Sequence, residues 1–292
     1  MDWHSRRISA ILEHALLEDK ATSDATSRTC IDPQQRATAT IIARQDCVLA
    51  GLGAIARILE IYEHLDQHAI GHSEVISHPE IFDGVRVAKG QSIAVVRHNA
   101  RVLLSCERVI LNVLQRLSGI ATLTRKFVDA VQGTQARILD TRKTVPGLRV
   151  LDKYAVRCGG GHNHRLDLSD GVLIKNNHIA LAGGVAAALQ KAIQNRRGPQ
   201  PIEIEVRTLS ELEEALANGA EAVLFDNMST EDVRSGVDRV HAHSRRLPVE
   251  VSGGVRLENV RGYAETGTDY ISVGALTHSA QAVDLSMRIF PA

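Results

Sequence analysis

From residue 137 onward the sequence repeats one device six times: a short apolar, β-rich run that ends in polar residues or glycine. The runs cover residues 137–139, 171–174, 202–206, 222–225, 248–251 and 270–273. Amphipathic segments at helical spacing lie between them, over residues 182–195, 209–218, 230–242 and 257–266. The last four runs start 20 to 26 residues apart. This rhythm predicts parallel strands covered by helices. Six such strands fit an α/β barrel, complete or incomplete, better than a flat sheet.

The preceding residues read differently. Ile8, Ile11, Leu12, Ala15 and Leu16 fall on one helical face, so a helix over residues 8–17 opens the chain. Short strand-like runs follow at 38–43, 47–50, 75–78, 86–87 and 92–96, with Asp83-Gly84 and Lys89-Gly90 marking turns. Helical patterns span residues 54–64 and 102–131. The expected organisation is an N-terminal α+β domain over residues 1–115 and an α/β barrel domain over residues 116–292.

Charge narrows the function classes. Lys and Arg number 34 and so do Asp and Glu, which excludes a strongly basic nucleic-acid-binding chain. Aromatics make up only 3%, too few for a base-stacking surface. Charged residues interrupt the first 20 positions, so no secretory h-region is present there. The uncharged stretch 179–190 is too short to span a bilayer. Cys30, Cys47, Cys106 and Cys158 form no C-x-x-C pair and read as reduced thiols. A cytoplasmic protein with neither nucleic-acid nor membrane partner is expected. His64, His68 and His72, with Gly71 among them, read as solvated surface.

The neutral total conceals segregation. Residues 137–178 hold eight Lys/Arg, four Asp and three His, whereas residues 203–238 hold ten acidic residues and two Arg. Glu211, Glu213, Glu214, Glu231 and Asp232 fit solvated helix faces and first turns. The strand ends carry the rest: Asp140-Thr141-Arg142-Lys143, Lys175-Asn176-Asn177-His178, Glu203 with Glu205, Asp226-Asn227, Ser252-Gly253-Gly254 and Gly274-Ala275. Barrel chemistry collects at those ends. Arg142, Lys143, His164, Arg165 and Lys175 form a cationic set suited to a ligand with several carboxylates or phosphates. Glu205 and Asp226 sit where carboxylates hold Mg²⁺ with a substrate phosphate. Gly159-Gly160-Gly161 offers backbone amides to an anion, with a plain turn as the simpler reading, and His162 with His164 is a weaker metal pair. Ser252-Gly253-Gly254 and Gly274-Ala275 are placed to hold a phosphate monoester.

Several stretches carry a more specific message: Asp140 to Arg149, Lys153-Tyr154-Ala155-Val156, the run from Gly159 to Arg165, Glu107-Arg108, Leu224 to Met228, and Tyr270 to His278. Together they closely resemble the quinolinate phosphoribosyltransferase family, along nearly the whole chain. The resemblance implies transfer of a phosphoribosyl group from phosphoribosyl pyrophosphate to quinolinate with decarboxylation, in de novo NAD synthesis. It implies an N-terminal open sandwich, an incomplete barrel, and a last helix over about 280–292 that packs back on the first domain. Lys143, Lys175, Glu205 and Asp226 are then the catalytic set. Arg142, His164, Arg165 and Lys175 hold the quinolinate carboxylates, beside Thr141. Glu205 and Asp226 organise Mg²⁺–pyrophosphate and ribose, while Ser252, Gly253, Gly254, Gly274 and Ala275 hold the 5′-phosphate. Arg108 enters the neighbouring subunit's site, which implies a homodimer or a hexamer built from it. Asn176, Ser23 and Asp167 depart from the family pattern, where an acidic residue, a glycine and a glycine are usual. A molybdenum-transport paralogue of the same fold and a non-catalytic ligand-binding protein are the competing readings.

Overall fold

The computed structural model describes residues 1–66, 72–243 and 245–292. His68 and Gly71 of the histidine series lie outside the described residues. Two compact units divide the chain. The first comprises Met1–Arg125, Thr144–Gly160 and Ser279–Ala292, and the second Lys126–Lys143 with Gly161–His278.

The first unit begins with α1 (Arg6–Glu18) and α2 (Ala25–Cys30), followed by β1 (Arg36–Ala43) and β2 (Cys47–Val48). Then come α3 (Gly53–Leu65), β3 (Glu74–Ile76), β4 (Arg86–Val87), β5 (Ser92–Asn99) and the long α4 (Ala100–Ala130), which continues past the unit boundary. Asp24 caps α2 by accepting from the Ser27 amide. In β1 alternate residues Ala37, Ala39, Ile41 and Ala43 are buried, the period-2 pattern of a sheet with one covered face. Ile8, Leu12 and Leu16 of α1 supply its buried stripe, and α1 packs on α3.

The second unit starts with β6 (Arg137–Leu139). The chain then gives α5 (Arg149–Cys158) to the first unit and returns for β7 (Val172–Ile174), α6 (Asn176–Ala182) and α7 (Val185–Asn195). It continues through β8 (Ile202–Val206), α8 (Leu209–Ala217), β9 (Ala222–Asp226) and α9 (Thr230–Ala242). The last turns are β10 (Val249–Ser252), α10 (Val260–Ala264), β11 (Tyr270–Ser272) and α11 (Ala275–His278). The six strands run parallel in the order β6-β11-β10-β9-β8-β7, an incomplete α/β barrel with β6 and β7 as its ends. In β8, Ile202, Ile204 and Val206 are buried, leaving Glu203 and Glu205 on the opposite face.

Three expectations need correction. The C-terminal segment is not a helix: Leu285–Pro291 forms β12, which pairs antiparallel with β1 from Ala37↔Pro291 to Ala43↔Leu285 in a sheet ordered β12-β1-β5-β3. Leu285, Met287 and Ile289 alternate with Ser286 and Arg288, the period of a strand, and Pro291 suits an edge. The helix expected over 182–195 begins only at Val185, after Gly183-Gly184, and a separate helix, α6, precedes those glycines. The glycines after α5 are not an anion cradle. The amides of Gly159 and Gly160 are spent on Ala155 O and Arg157 O, closing the helix, and Gly160 has φ +88°. Arg116 makes a two-pronged pair with the fully buried Asp152 of α5, at 3.0 and 2.8 Å.

Candidate active site

Within the second unit, a cleft of about 640 Å³ opens at the carboxyl ends of the strands. Its lining obeys the alternation of the sheet. Leu173 and Lys175 of the β7 edge, Leu224 and Asp226 of β9, and Glu250 and Ser252 of β10 come in pairs two residues apart. Leu173, Leu224 and Glu250 are buried and form the floor. Around it stand Thr141, Arg142, Lys143, His164 and Arg165, with Gly253, Gly254, Gly274 and Ala275. Twelve of the fourteen residues expected from the sequence therefore line one cleft. Glu205 does not line it but holds Lys175, whose Nζ donates to Glu205 Oε2 at 2.9 Å. Arg108 lies exposed on α4, in the first unit.

The cations reach the cleft because Asp140 folds a loop against β6. His162 N donates to Ile138 O, and Asp140 N to His162 O, so this loop runs beside β6 like an added strand. Asp140 is fully buried; its Oδ1 accepts from the His164 amide at 2.9 Å, and its Oδ2 accepts from Asn163 Nδ2 at 2.5 Å. His164 and Arg165 are thereby delivered next to Arg142 and Lys143.

His164 does not point its nitrogens outward. The Arg165 amide donates to Nδ1 at 2.7 Å, and Nε2 lies 3.5 Å from Glu203 Oε2 and 3.4 Å from Glu250 Oε2. Burial disfavours a charged ring here, but the two carboxylates outweigh it and push the imidazole pKa up to about 10. The Arg165 amide opposes the second proton, because a protonated Nδ1 no longer accepts. In either form Nε2 carries a proton toward the carboxylates. Burial, and then the charge of Glu250, raises the Glu203 carboxyl, against the pull of His164. Burial and then Arg142 lower Arg165 from its usual value.

On the far side, Gly253 and Gly254 have φ of +87° and +60°. A Cβ on Gly253 would stand 2.4 Å from Asn227 Oδ1, so a side chain there would push that amide aside, and the positive φ itself favours glycine. The amides of Gly253 and Gly254 make no hydrogen bond among the described residues, leaving donors for an anion.

The carboxylates divide in their fitness for Mg²⁺. Glu205 is 4% exposed, and its oxygens are committed to Lys175 Nζ and, at 3.3 Å, to the Asn176 amide. It does not fit as a direct ligand. Asp226, facing the cleft, fits a hard cation that takes its other oxygens from substrate phosphate and water. The Asn176 amide, not its side chain, meets Glu205, so an acidic residue at 176 is not needed for that contact.

Glu250, Arg256 and His278 also line the cleft and were not picked out as site residues from the sequence. Glu250 was legible: a lone Glu between Val249 and Val251, two residues before Ser252, must face inward with it.

Strand-end cations, one open carboxylate and a glycine loop with unspent amides define an α/β-barrel protein built to hold small polyanions. Family models for the N-terminal and C-terminal domains of quinolinate phosphoribosyl transferase match residues 24–118 and 120–288. The chain belongs to the quinolinate phosphoribosyltransferase family. It is 43% identical to the probable nicotinate-nucleotide pyrophosphorylase [carboxylating] of Bacillus subtilis over 283 residues, covering 97% of this chain and 93% of the relative. The Mycobacterium leprae nicotinate-nucleotide pyrophosphorylase [carboxylating] is 40% identical, with 95% of each chain covered. The crystal structure of NadC from Streptococcus pyogenes superposes with a TM-score of 0.91 at 34% identity, covering 100% of this chain and 99% of that one. Among the described residues no helix is long and apolar enough to cross a membrane.

Proposed function

We propose that this protein is a decarboxylating quinolinate phosphoribosyltransferase of de novo NAD synthesis. It joins quinolinate to phosphoribosyl pyrophosphate and yields nicotinate mononucleotide, pyrophosphate and CO₂. The observation that carries this reading is the single cleft in which Arg142, Arg165 and Lys175 face Asp226 and the Ser252-Gly253-Gly254 loop. Two adjacent carboxylates on an aromatic ring need such convergent cations. Arg142 and Arg165 hold them, with Lys175 alongside, and His164 braces the floor beneath. The amides of Gly253, Gly254 and Gly274 take the 5′-phosphate.

Breaking the bond between ribose and pyrophosphate builds positive charge on the sugar and negative charge on the leaving group. Asp226 faces the first, and Lys143 and Lys175 the second, with Glu205 holding Lys175 in place. Asp226 would hold Mg²⁺, which would supply charge neutralisation to the pyrophosphate. The clamp sets the ring nitrogen in line with C1′, which removes much of the orientational barrier. The protein acts in the cytoplasm as a homodimer, or as a hexamer built from three such dimers, in which Arg108 completes the neighbouring site.

A direct assay tests this reading. Purified protein with quinolinate, phosphoribosyl pyrophosphate and Mg²⁺ releases CO₂ and forms nicotinate mononucleotide. Turnover of nicotinate in place of quinolinate would sink the substrate assignment.

A further inference from the structure

One group in the cleft is out of character with the rest. Glu250 sits in the floor with only 4% of its surface exposed, beneath a set of cations suited to a dianionic ligand. Its Oε2 faces His164 Nε2 at 3.4 Å, and its Oε1 is buried without a hydrogen-bond partner among the described residues. His164 must also serve Glu203, 3.5 Å from the same nitrogen, so one imidazole faces two carboxylates. A buried oxygen without a donor is costly. An extra anion below a site for a dicarboxylate also opposes binding. A ground-state role therefore does not account for it.

A transition-state role does. In the proposed reaction the ring nitrogen's lone pair forms the bond to C1′. The C1′–O bond breaks with its electron pair leaving on pyrophosphate. The ring enters neutral and becomes a pyridinium cation, and this positive charge is absent from bound quinolinate. We propose that Glu250 is the counter-charge for the pyridinium ring, held by His164 and acting through the cleft floor. Its oxygen lies below the surface, so it works as a fixed charge under weak solvent screening and makes no hydrogen bond to the ring. An interaction that appears only as the charge develops lowers the barrier without tightening substrate binding. Glu203 and His164 act as positioning residues. The Arg165 amide on Nδ1 and the two carboxylates at Nε2 fix the ring that fixes Glu250.

This proposal rests on the phosphoribosyl-transfer reading and is tested apart from it. Two ligands with the same pair of carboxylates differ in ring charge and in one N-methyl group, whose effect cancels when variants are compared: phthalate, which is neutral in the ring, and 1-methylpyridinium-2,3-dicarboxylate. By calorimetry the wild-type protein binds the cationic ring about tenfold more tightly. In Glu250→Gln that preference falls to near unity while phthalate binds as well or better, and kcat with quinolinate drops about tenfold or more at a similar KM. Glu250→Asp keeps the preference. Should Glu250→Gln fail to fold, the wild-type preference and its retention in Glu250→Asp decide the matter. No preference in the wild type overturns the proposal. So does a preference that survives Glu250→Gln but disappears in Asp226→Asn, which assigns the charge to Asp226. Failure of the underlying reading looks different, because wild-type protein then releases no pyrophosphate from quinolinate and phosphoribosyl pyrophosphate.

Discussion

At position 253 a single methyl group interrogates half of the site. Gly253 has φ +87°, and an added Cβ meets Asn227 Oδ1 at 2.4 Å, while Asn227 itself sits at φ +55°. The positive φ strains any side chain at 253, and the Asn227 amide must turn aside as well. Strain of about 1–3 kcal/mol moves the loop amides off their mark. Gly253→Ala raises the KM for phosphoribosyl pyrophosphate roughly ten- to a hundredfold, and phthalate binding stays close to wild type. Steady-state kinetics beside a phthalate titration checks this; an unchanged KM would remove the phosphate from these amides. The residue types of the site were readable in advance because strand ends expose them in order. What each atom does was not. His164 is a cation beside cations in the sequence. In the structure Asp140 and the Arg165 amide turn its ring toward two carboxylates brought in by distant strands. Glu205 illustrates the same limit, since its commitment to Lys175 is set across 30 residues.

Elements were legible where their pattern is local. The residues of β6 and β8 carry self-contained apolar runs, and the sequence reading of both matches the structure. α5 went unread because its buried face includes Asp152 and Lys153, which look solvated until Arg116 is brought against Asp152. β12 was misread as a helix because seven residues hold too few alternations to outweigh the expectation of a last helix. Its pairing with β1 makes a sharp contrast between two of its side chains. Leu285 is 3% exposed and Phe290 is 57% exposed. Leu285→Ala costs about 2–5 kcal/mol and lowers the melting midpoint by several degrees. Phe290→Ala stays within roughly 0.5 kcal/mol of wild type. Equal effects on thermal denaturation would contradict the strand as described.

For the whole molecule, the proposed sharing of a site has an arithmetic signature. If Arg108 serves the neighbouring subunit, Arg108→Ala and Lys175→Ala are each nearly inactive alone. Mixed and re-equilibrated in equal amounts, they return about a quarter of wild-type activity, since half the dimers are mixed and each holds one intact site. An unrestored mixture, with exchange verified by mass, means that the sites are not shared. The connectivity carries a separate consequence for anyone dissecting the protein. The first unit is assembled from three separate stretches of chain, the last of them supplying β12. A clone ending near residue 115 therefore lacks the partner that covers one side of β1. Its seven residues of backbone then face solvent as an open template for another chain. Such a fragment should associate through that bare edge, whereas circular permutants that keep β12 beside β1 should not.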